Sequence, residues 1–285
     1  MSVEVLLSAM GQTDMTLIEK CNIHSSCIMV NQCDRNETVF EDRDYGNVRM
    51  ISTTERGLSR SRNMALKSAS ADVCILCDDD IVYVEGYEHI VESAFNELSD
   101  ADIIVFNVNS KNTDIRPQEV LFKRVKRIPK YKMYSSVHIA FKRKSIEKAG
   151  LSFDTRFGAG SGCYAMGEDS IFFSRAHRSG LKAYVYPAVI ADLYSEKSTW
   201  QRGYDEKFYY DEGAFLQAAF PYMKYFFSLY YPVRHRKHLK LSPVNCLKWI
   251  WRGIDGFKEG KTYNDFAADQ KNRTNQKELY ERKRK

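Results

Sequence analysis

Three consecutive aspartates, Asp78–Asp80, follow the apolar run in VCILCDDDIVY, residues 73–83. Adjacent carboxylates repel one another, and each loses solvation if the preceding strand is buried. On a strand end, Asp78 and Asp80 project to one side and Asp79 to the other. Carboxylate oxygens suit Mg²⁺ or Mn²⁺, which bind through one or two carboxylates plus substrate phosphates. The segment predicts either such a site or a solvated acidic turn, and its charge alone does not choose.

A second acidic pair, Glu168 and Asp169, follows Gly167 at a predicted helix start. Carboxylates there can simply stabilise the helix dipole, by roughly 0.3–1 kcal/mol each. The preceding loop, FGAGSGCYAMG, is rich in glycine, which costs conformational entropy and favours a close approach to a ligand. Neighbouring helical residues point about 100° apart, so we expect one of the two carboxylates to face a reacting atom.

A basic helix supplies a third element in GLSRSRNMALKSA, residues 57–69. Its apolar residues share one helical face, which indicates a helix packed on a core. The free backbone N–H groups at its start, beginning with Gly57, are expected to be able to meet an anion. Arg60 and Arg62 would add positive charge there, or else lie on a solvated face. Together the three elements fit transfer chemistry on a nucleotide diphosphate substrate.

The elements that must position these residues alternate between strand and helix. Apolar strands are predicted at Val3–Leu7, Cys27–Val30, Val48–Ile51, Val73–Cys77, Ile103–Val108, Val137–Phe141 and Ala183–Tyr186, the last closed by Pro187. Helices are predicted between them, around residues 57–69, 90–98, 145–150 and 167–180. This alternation predicts an α/β fold with a mostly parallel sheet sandwiched by helices. Aspartates at the carboxyl ends of its strands lie where such sheets bind ligands.

The composition is that of a globular protein. The chain has 285 residues, 44% hydrophobic and 28% charged, with a net charge of +6. Wholesale disorder is therefore excluded. The first ten residues contain Glu4 within too short an apolar run for an export signal, and no apolar stretch approaches the roughly 20 residues that span a bilayer. We expect a cytoplasmic protein, peripheral at most on the inner face of the cell membrane.

The seven cysteines show no zinc spacing. Cys74 and Cys77 form a C-x-x-C, but three positions apart on a strand their side chains point to opposite faces. We expect reduced structural thiols.

From about Phe208 the composition becomes aromatic and basic. We predict a catalytic domain over residues 1–213, a helical extension over 214–262 and a charged tail over 263–285. The favoured interpretation is that its aromatic residues pack the extension on the catalytic domain: Phe220, Tyr222, Phe226, Phe227, Tyr230 and Trp251. The other is docking on an anionic membrane, with cations Arg234, Arg236, Lys237 and Lys240 facing the headgroups.

Five segments, in this order and spacing, resemble family 2 glycosyltransferases of the GT-A (Rossmann-like) fold, in particular bacterial members that build capsule or other surface polysaccharide. They are VNQCD (Val30–Asp34), ERGLSRSRNMAL (Glu55–Leu66), CDDDIVY (Cys77–Tyr83), GSG with GEDSIFF (160–162 and Gly167–Phe173) and STW (Ser198–Trp200). The resemblance spans about Val3 to Gly213, and the ordered set is more specific than any one motif.

The resemblance implies roles for particular residues. Asp80 is implied as the direct ligand of Mn²⁺ or Mg²⁺, with Asp78 on the metal or the ribose. Asp169 is implied as the catalytic base, with Glu168 in support. The implied nucleotide-binding residues are Ser8, Gln32, Asp34, Gly57, Arg62, Asn63, Asp78 and Asp79. Many relatives carry a further metal-binding His after the last core strand, for which Asp192 is the substitute available here.

The implied activity is inverting, metal-dependent transfer of a sugar from a nucleotide sugar, by family habit a UDP-sugar, to a saccharide or lipid-linked saccharide. Two rivals remain at this point. A nucleotidyltransferase also pairs acidic residues with a nucleotide, although LLSAMGQTD supplies no convincing glycine signature for one. A basic module that binds RNA or membrane would use the aromatic C-terminal region but leaves both acidic segments idle. We expect no nucleic-acid partner.

Overall fold

The structure, a computed structural model, describes residues 1–112, 121–194, 203–234 and 240–268. Its strands are β1 (Val3–Met10), β2 (Ser26–Gln32), β3 (Glu37–Arg43), β4 (Gly46–Thr53), β5 (Val73–Asp78), β6 (Ile81–Tyr83), β7 (Ile103–Ser110), β8 (Lys126–Arg127), β9 (Ile139–Lys142) and β10 (Ala183–Leu193). Its helices are α1 (Thr16–Lys20), α2 (Leu58–Ser68), α3 (Tyr87–Glu97), α4 (Arg143–Lys148), α5 (Glu168–Arg178), α6 (Glu206–Ala219), α7 (Lys224–Arg234) and α8 (Pro243–Glu259).

All the described strands form one mixed sheet in the order β3-β4-β2-β1-β5-β9-β7-β10-β6, with β8 paired to β10. Strands β4, β2, β1 and β5 are mutually parallel, and β7 is parallel to β10. Strand β9 lies between β5 and β7 and is antiparallel to both. The carboxyl ends of β1, β2, β5, β7 and β10 therefore meet at one edge of the sheet, which we call the carboxyl edge.

Helices cover both faces of this sheet, as the sequence predicts. On one face a core forms against α1 and α3, through buried side chains such as Ile18, Val91 and Phe95. On the other a second core forms against α2, α4 and α5, through Leu66, Ile146 and Phe172. Strands buried on both sides read as continuous apolar runs because neither face meets water. The α/β fold of a mostly parallel sheet flanked by helices is confirmed.

Five strands depart from the sequence prediction, and two of them, β6 and β8, are short strands that it does not contain. β3 and β4 form an antiparallel hairpin, and β3 is missing from the prediction because its exposed residues, ETVFEDR, carry too little apolar signal. Strand β9 starts at Ile139, since a 3₁₀ turn occupies Ser136–His138. Strand β10 does not stop at Pro187 but runs on to Leu193, with register shifts against β7 on either side of Val189 that absorb the proline.

The chain divides into two compact units. The first comprises Met1–Ser161 and Glu168–Thr199, and the second Gly162–Gly167 and Trp200–Lys285. The predicted boundary at residue 213 falls inside α6, which is continuous from Glu206 to Ala219. The units divide elsewhere because α6 packs against α8 within the second unit. Most of the predicted tail, from residue 269 on, lies outside the described residues.

Glycines bring α6 and α8 of the second unit into backbone contact. A Cβ built on Gly213 would lie 1.9 Å from the carbonyl oxygen of Ile250, and one on Gly253 would lie 1.9 Å from that of Tyr210. Neither distance admits a methyl group, so the crossing depends on hydrogen at both positions. In the same unit the short Gly162–Gly167 segment is held by α6, since the Ala165 amide donates to Asp211 at 3.1 Å.

The seven cysteines are free thiols, as expected. Cys74 belongs to the core under α2, α4 and α5, whereas Cys77 belongs to the core under α1 and α3, so the two thiols lie on opposite faces of β5. Among the described helices, none is long and apolar enough to cross a bilayer.

Candidate active site at the carboxyl edge

Sheet register brings several predicted residues to the carboxyl edge. Ser8 on β1 lies directly opposite Asp78 on β5, and on its other side β2 continues to Gln32, paired with Met10. Paired residues of neighbouring strands point to the same face. Helix α2 lies on that face, where the Ser61 hydroxyl is 2.9 Å from the Ser8 hydroxyl. Ser8, Asp78 and α2 are therefore one local assembly.

Arg62, on α2, is the centre of this assembly. Its guanidinium Nη2 donates to both oxygens of Asp78, at 2.9 and 3.2 Å, and to the Ser136 hydroxyl at 2.7 Å. Its Nη1 donates to Asp169 and, at 3.3 Å, to Glu168. The guanidinium also lies 5.5 Å from the centre of the Phe153 ring. One buried cation thus joins the two acidic segments that the sequence places 90 residues apart.

The charges in this assembly do not balance. Burial alone would lower the pKa of Arg62, but the carboxylates of Asp169, Asp78 and Glu168 outweigh it and raise that pKa above its usual value. Arg62 therefore stays protonated. Three carboxylates around one cation leave an excess of negative charge. This excess bears on the pKa of Glu168, the most buried of the three. Burial, with the charge of Asp169, raises the pKa of Glu168 from 4.5 to about 7, against the pull of Arg62.

Asp169 is held in one orientation from two sides. Its Oδ1 receives the Arg62 bond, and its Oδ2 accepts the backbone N–H of Ser136 at 3.0 Å. Both acidic residues lie in the first turn of α5, as predicted. Gly158, with φ of +98°, makes room for Glu168, because a Cβ there would lie 3.0 Å from the Glu168 carboxyl carbon. The missing side chain at Gly158 therefore makes room for Glu168, in addition to any ligand that the loop contacts.

The start of α2 is more occupied than the sequence suggests. The Gly57 amide donates to Gln32 Oε1 at 2.7 Å, and the Leu58 amide to the Ala159 carbonyl at 2.8 Å. The Gly57 and Leu58 amides are therefore not free to meet an anion, because Gln32 and the loop already satisfy them.

Asn63, predicted with Arg62 to line the nucleotide pocket, faces the backbone of Phe153. Its side-chain amide donates to the Phe153 carbonyl at 2.9 Å and accepts the Phe153 amide at 2.8 Å. This two-way bond fixes the segment whose ring stacks on Phe172 at 4.3 Å. Asn63 thus supports the ring that lies beneath the Arg62 guanidinium.

The aspartate run is divided between strand and turn. Strand β5 ends at Asp78, and Asp79 and Asp80 form the turn before β6, so strand alternation does not extend across the three. The Asp80 carbonyl accepts the Tyr194 amide at 2.9 Å, which fixes the turn on the end of β10. Asp34 lies exposed, two residues beyond the end of β2.

Asp192, predicted as a substitute metal ligand, is paired with a cation in the structure. Its carboxylate binds the Lys111 ammonium at 2.9 Å and the Asn109 amide at 3.1 Å. Across the described ranges, no three His, Cys, Asp or Glu side chains converge as a metal-holding group. Mg²⁺ or Mn²⁺ bound together with a diphosphate needs only one or two protein carboxylates. Asp78 and Asp80 are two carboxylates at the β5 end, and Arg62 already donates to both oxygens of Asp78, so their role as metal ligands stays a prediction.

Sequence reasoning missed Ser136, Phe153 and Ser61 at this site. No motif marks Ser136 or Phe153, and Ser61 lies in the ERGLSRSRNMAL segment without a predicted role. Each acts through a hydrogen bond or ring contact that only the folded chain creates. The STW segment of the resemblance, Ser198–Trp200, lies outside the described residues.

Comparison with protein families decides what the chain is related to. The model of glycosyl transferase family 2 matches residues 16–159, half of the chain. The chain belongs to this family. The match covers α2, the aspartates and the glycine-rich loop as far as Ala159. A search of curated proteins finds no match.

Solved glycosyltransferase structures share the fold of this family member. Staphylococcus aureus TarS 1-349 in complex with UDP-GlcNAc aligns over 92% of this chain and 93% of its own, with a TM-score of 0.57 and 13% identity. TarS 1-349 in complex with UDP aligns over 86% and 74%, with a TM-score of 0.56 and 14% identity. At these identities the likeness shows the GT-A fold alone.

Proposed function

We propose that this glycosyltransferase moves a sugar from a nucleotide diphosphate sugar, most simply a UDP-sugar, to a saccharide or lipid-linked saccharide during synthesis of a cell-surface polysaccharide. The observation that carries the proposal is the Arg62 assembly. It places a carboxylate pair and the aspartate turn at the carboxyl edge, where α/β sheets bind nucleotides. TarS has been seen with UDP-GlcNAc and with UDP, which makes these the first molecules to test.

Asp169 is proposed as the base that takes the proton from the acceptor hydroxyl. A base must hold its orientation to lie within hydrogen-bond reach of that hydroxyl, and the Ser136 amide and Arg62 fix this carboxylate. Glu168, with its pKa raised to about 7, is more buried and stays partly protonated at neutral pH. Its neutral form limits the negative charge beside Asp169, so it supports the base without replacing it.

The leaving diphosphate must be stabilised as the glycosidic C–O bond breaks. A divalent cation at Asp78 and Asp80 would supply positive charge to it. Arg62 keeps Asp78 in place from below, through two hydrogen bonds to its two oxygens. Attack by the acceptor on the face opposite the leaving group is a single displacement, which inverts the anomeric centre.

The deciding experiment incubates the full chain with UDP-GlcNAc and a panel of other nucleotide sugars, with Mn²⁺ or Mg²⁺ and candidate acceptor glycans. Release of UDP that depends on the acceptor, with a product of inverted anomeric configuration, supports the proposal. Release of pyrophosphate from a nucleoside triphosphate would instead identify a nucleotidyltransferase. A product that retains the donor configuration would reject the single displacement.

We also propose that the second unit docks on an anionic membrane that carries a lipid-linked acceptor. Most of the aromatic residues named for the packing interpretation are exposed to solvent by about half or more. Tyr222 is 94% exposed and Phe226 66%, and Tyr230 and Trp251 are about half exposed. Exposed Met223 and Leu229 extend the same surface along α7.

Aromatic side chains beside lysines such as Lys224 suit the interface of an anionic bilayer. The other predicted headgroup cations fall in or beside residues 235–239, outside the described side chains, apart from Lys240.

Co-sedimentation with vesicles of anionic and of neutral lipid tests this surface. We expect binding to anionic vesicles that weakens with salt and is lost in the double variant Tyr222→Ser with Phe226→Ser. Phe40→Ser is the matched control, because Phe40 is 67% exposed on β3 of the first unit. Equal loss in the control, or no binding at low salt, would reject the membrane proposal and leave the transferase proposal untouched.

A further inference from the structure

A pocket of about 370 Å³ opens at the C-terminal end of α5, away from the acidic assembly. Arg127, Ile128, Lys130, His177 and Leu181 are among the residues that line it. Asp169 and His177 are eight residues apart on α5, which is about 12 Å along the helix axis. Ala183, which also lines the pocket, starts β10, so the pocket belongs to the sheet edge opposite the carboxyl edge. It is a separate site from the proposed active site.

Backbone pairing fixes the basic side of this pocket. Arg127 on β8 pairs with Tyr184 on β10, and the next residue, Ile128, donates its amide to the Ala183 carbonyl at 2.8 Å. A turn follows, in which the Lys132 amide donates to the Pro129 carbonyl at 2.9 Å. Arg127 therefore lies on a strand paired to the sheet, and Lys130 lies in the turn that follows it.

The two cations of the pocket have no carboxylate partner among the described residues. Across the part of the chain that the structure describes, neither Arg127 nor Lys130 forms an ion pair. Like charges that share a pocket repel each other, and an anion between them would relieve that repulsion. The guanidinium of arginine also offers a planar fork that matches phosphate and carboxylate oxygens.

His177 shows the positive potential of the pocket. The residue is 6% exposed, and its Nε2 has no hydrogen-bond partner among the described residues. Burial lowers the pKa of His177, and the charges of Lys130 and Arg127 lower it further. Its imidazole is packed edge-on against Phe173, with ring centres 4.9 Å apart. An anion that neutralises Lys130 and Arg127 would therefore raise the pKa of His177.

We propose that this pocket binds the phosphoryl group of an organic phosphate, with Arg127 and Lys130 on the phosphate oxygens and the organic part on Ile128, Pro129 and Leu181. The volume supports an organic part, because small-molecule pockets begin at about 300 Å³ and a water molecule takes only about 30 Å³. The apolar side chains in the lining supply the surface for it. The two cations match the charge of a phosphate dianion.

NMR titration of the full chain with phenyl phosphate, at constant ionic strength, tests the proposal. We expect saturable shifts of the His177 imidazole signals, assigned with His177→Gln, and a rise in the pKa of His177 on binding. The double variant Arg127→Ala with Lys130→Ala should weaken binding by about tenfold or more, as expected when charge-assisted hydrogen bonds are lost. Exposed His24 serves as an internal reference, because it lies outside the pocket.

Lys126→Ala is the matched control variant. Lys126 precedes Arg127 on β8, is also exposed and does not line the pocket. We expect it to leave phenyl phosphate binding unchanged. Loss equal to that of the double variant, or no saturation in the wild-type chain, would overturn the proposal. Inorganic phosphate that binds as tightly as phenyl phosphate would keep the phosphoryl site and reject the organic part.

Discussion

One residue, Arg62, determines the chemistry that the other site residues can perform. Its guanidinium holds Asp78 of the aspartate turn and Asp169 of the acidic pair, so both have fixed positions before any substrate arrives. Removing such a cation would leave buried carboxylates unpaired, which typically costs about 3–5 kcal/mol. The resemblance implies a nucleotide-binding role for Arg62, which stays a prediction. The contacts described here add a second role, that of holding the carboxylates.

Asp169→Asn tests the proposed base. The amide keeps the size of the side chain and its oxygen can still accept the Ser136 amide, but it cannot remove a proton. We expect kcat to fall by about 10²- to 10⁴-fold, the usual contribution of a positioned base, while UDP affinity changes little. Steady-state kinetics with calorimetric titration of UDP measures both. A variant with wild-type kcat would exclude Asp169 as the base.

Glu168→Gln tests the excess negative charge at the site, because its effect on the free energy of unfolding should depend on pH. The pKa of Glu168 is raised from 4.5 to about 7, so the folded chain binds more protons than the unfolded chain between these values. Stability is therefore lost as pH rises through that window, and the penalty is complete above it. We expect the variant to gain about 2–3 kcal/mol relative to wild type between pH 5 and pH 8.

Urea unfolding at pH 5 and pH 8 gives this difference directly. Glu55→Gln is the control, because Glu55 is exposed in the loop before α2 and forms no ion pair with any described residue. Its stability relative to wild type should be the same at both pH values. A Glu168 variant without pH-dependent gain would mean that the folded state does not raise this pKa.

At the scale of the elements, strand and helix positions followed the apolar pattern closely in the first unit. Strands β1, β2, β4, β5 and β7 each lie where a buried run occurs, and they extend one to three residues beyond it, because polar residues such as Ser8 and Asp78 continue the backbone ladder. The apolar pattern predicted the wrong end for β10, because backbone geometry determines where that strand stops. Pro187 lies inside β10 because register shifts leave its missing donor without a ladder position.

The α6–α8 crossing of the second unit is a property that the sequence pattern does not reveal. Gly213 and Gly253 lie within helices, where glycine costs about 1 kcal/mol relative to alanine. Contact between the two backbones explains their presence. An alanine at either position must push the helices apart, and the loss of packing exceeds any gain in helix propensity.

Gly253→Ala should therefore destabilise the second unit by about 1–3 kcal/mol, the usual cost of overpacking. The added methyl group would meet the Tyr210 carbonyl. Thermal unfolding followed by circular dichroism measures the loss. Lys248→Ala on the exposed side of α8 is the control and should change stability by less than about 0.5 kcal/mol. If Gly253→Ala stabilises the protein, the two helices do not cross at this glycine.

At the scale of the whole molecule, the sheet separates two chemistries at its two edges. The carboxyl edge collects the acidic segments, and the opposite edge carries the cationic pocket. The sequence predicted the first edge for the aspartates, because parallel sheets bind ligands at the carboxyl ends of their strands. The family resemblance alone implied Ser8 and Gln32. The sequence could not predict the second edge, because Arg127, Lys130 and His177 come from a two-residue strand, a turn and a helix end, none of which has a motif. No motif marks the ion pair between Lys111 and Asp192 either, so the sequence could not predict it.

The ion pair between Lys111 and Asp192 leads to a prediction about which carboxylates bind a metal together with the nucleotide. A bound molecule stabilises the folded chain by about 2.7 kcal/mol at 100 times its Kd. UDP with Mn²⁺ should therefore raise Tm by several degrees more than UDP with EDTA. Asp80→Ala should lose the Mn²⁺-dependent part, whereas Asp192→Asn should keep it, because Lys111 already occupies that carboxylate. Differential scanning fluorimetry at fixed UDP measures all three chains. If Asp192→Asn loses the Mn²⁺-dependent shift as fully as Asp80→Ala, then nucleotide binding breaks the Lys111 ion pair and Asp192 is a ligand after all.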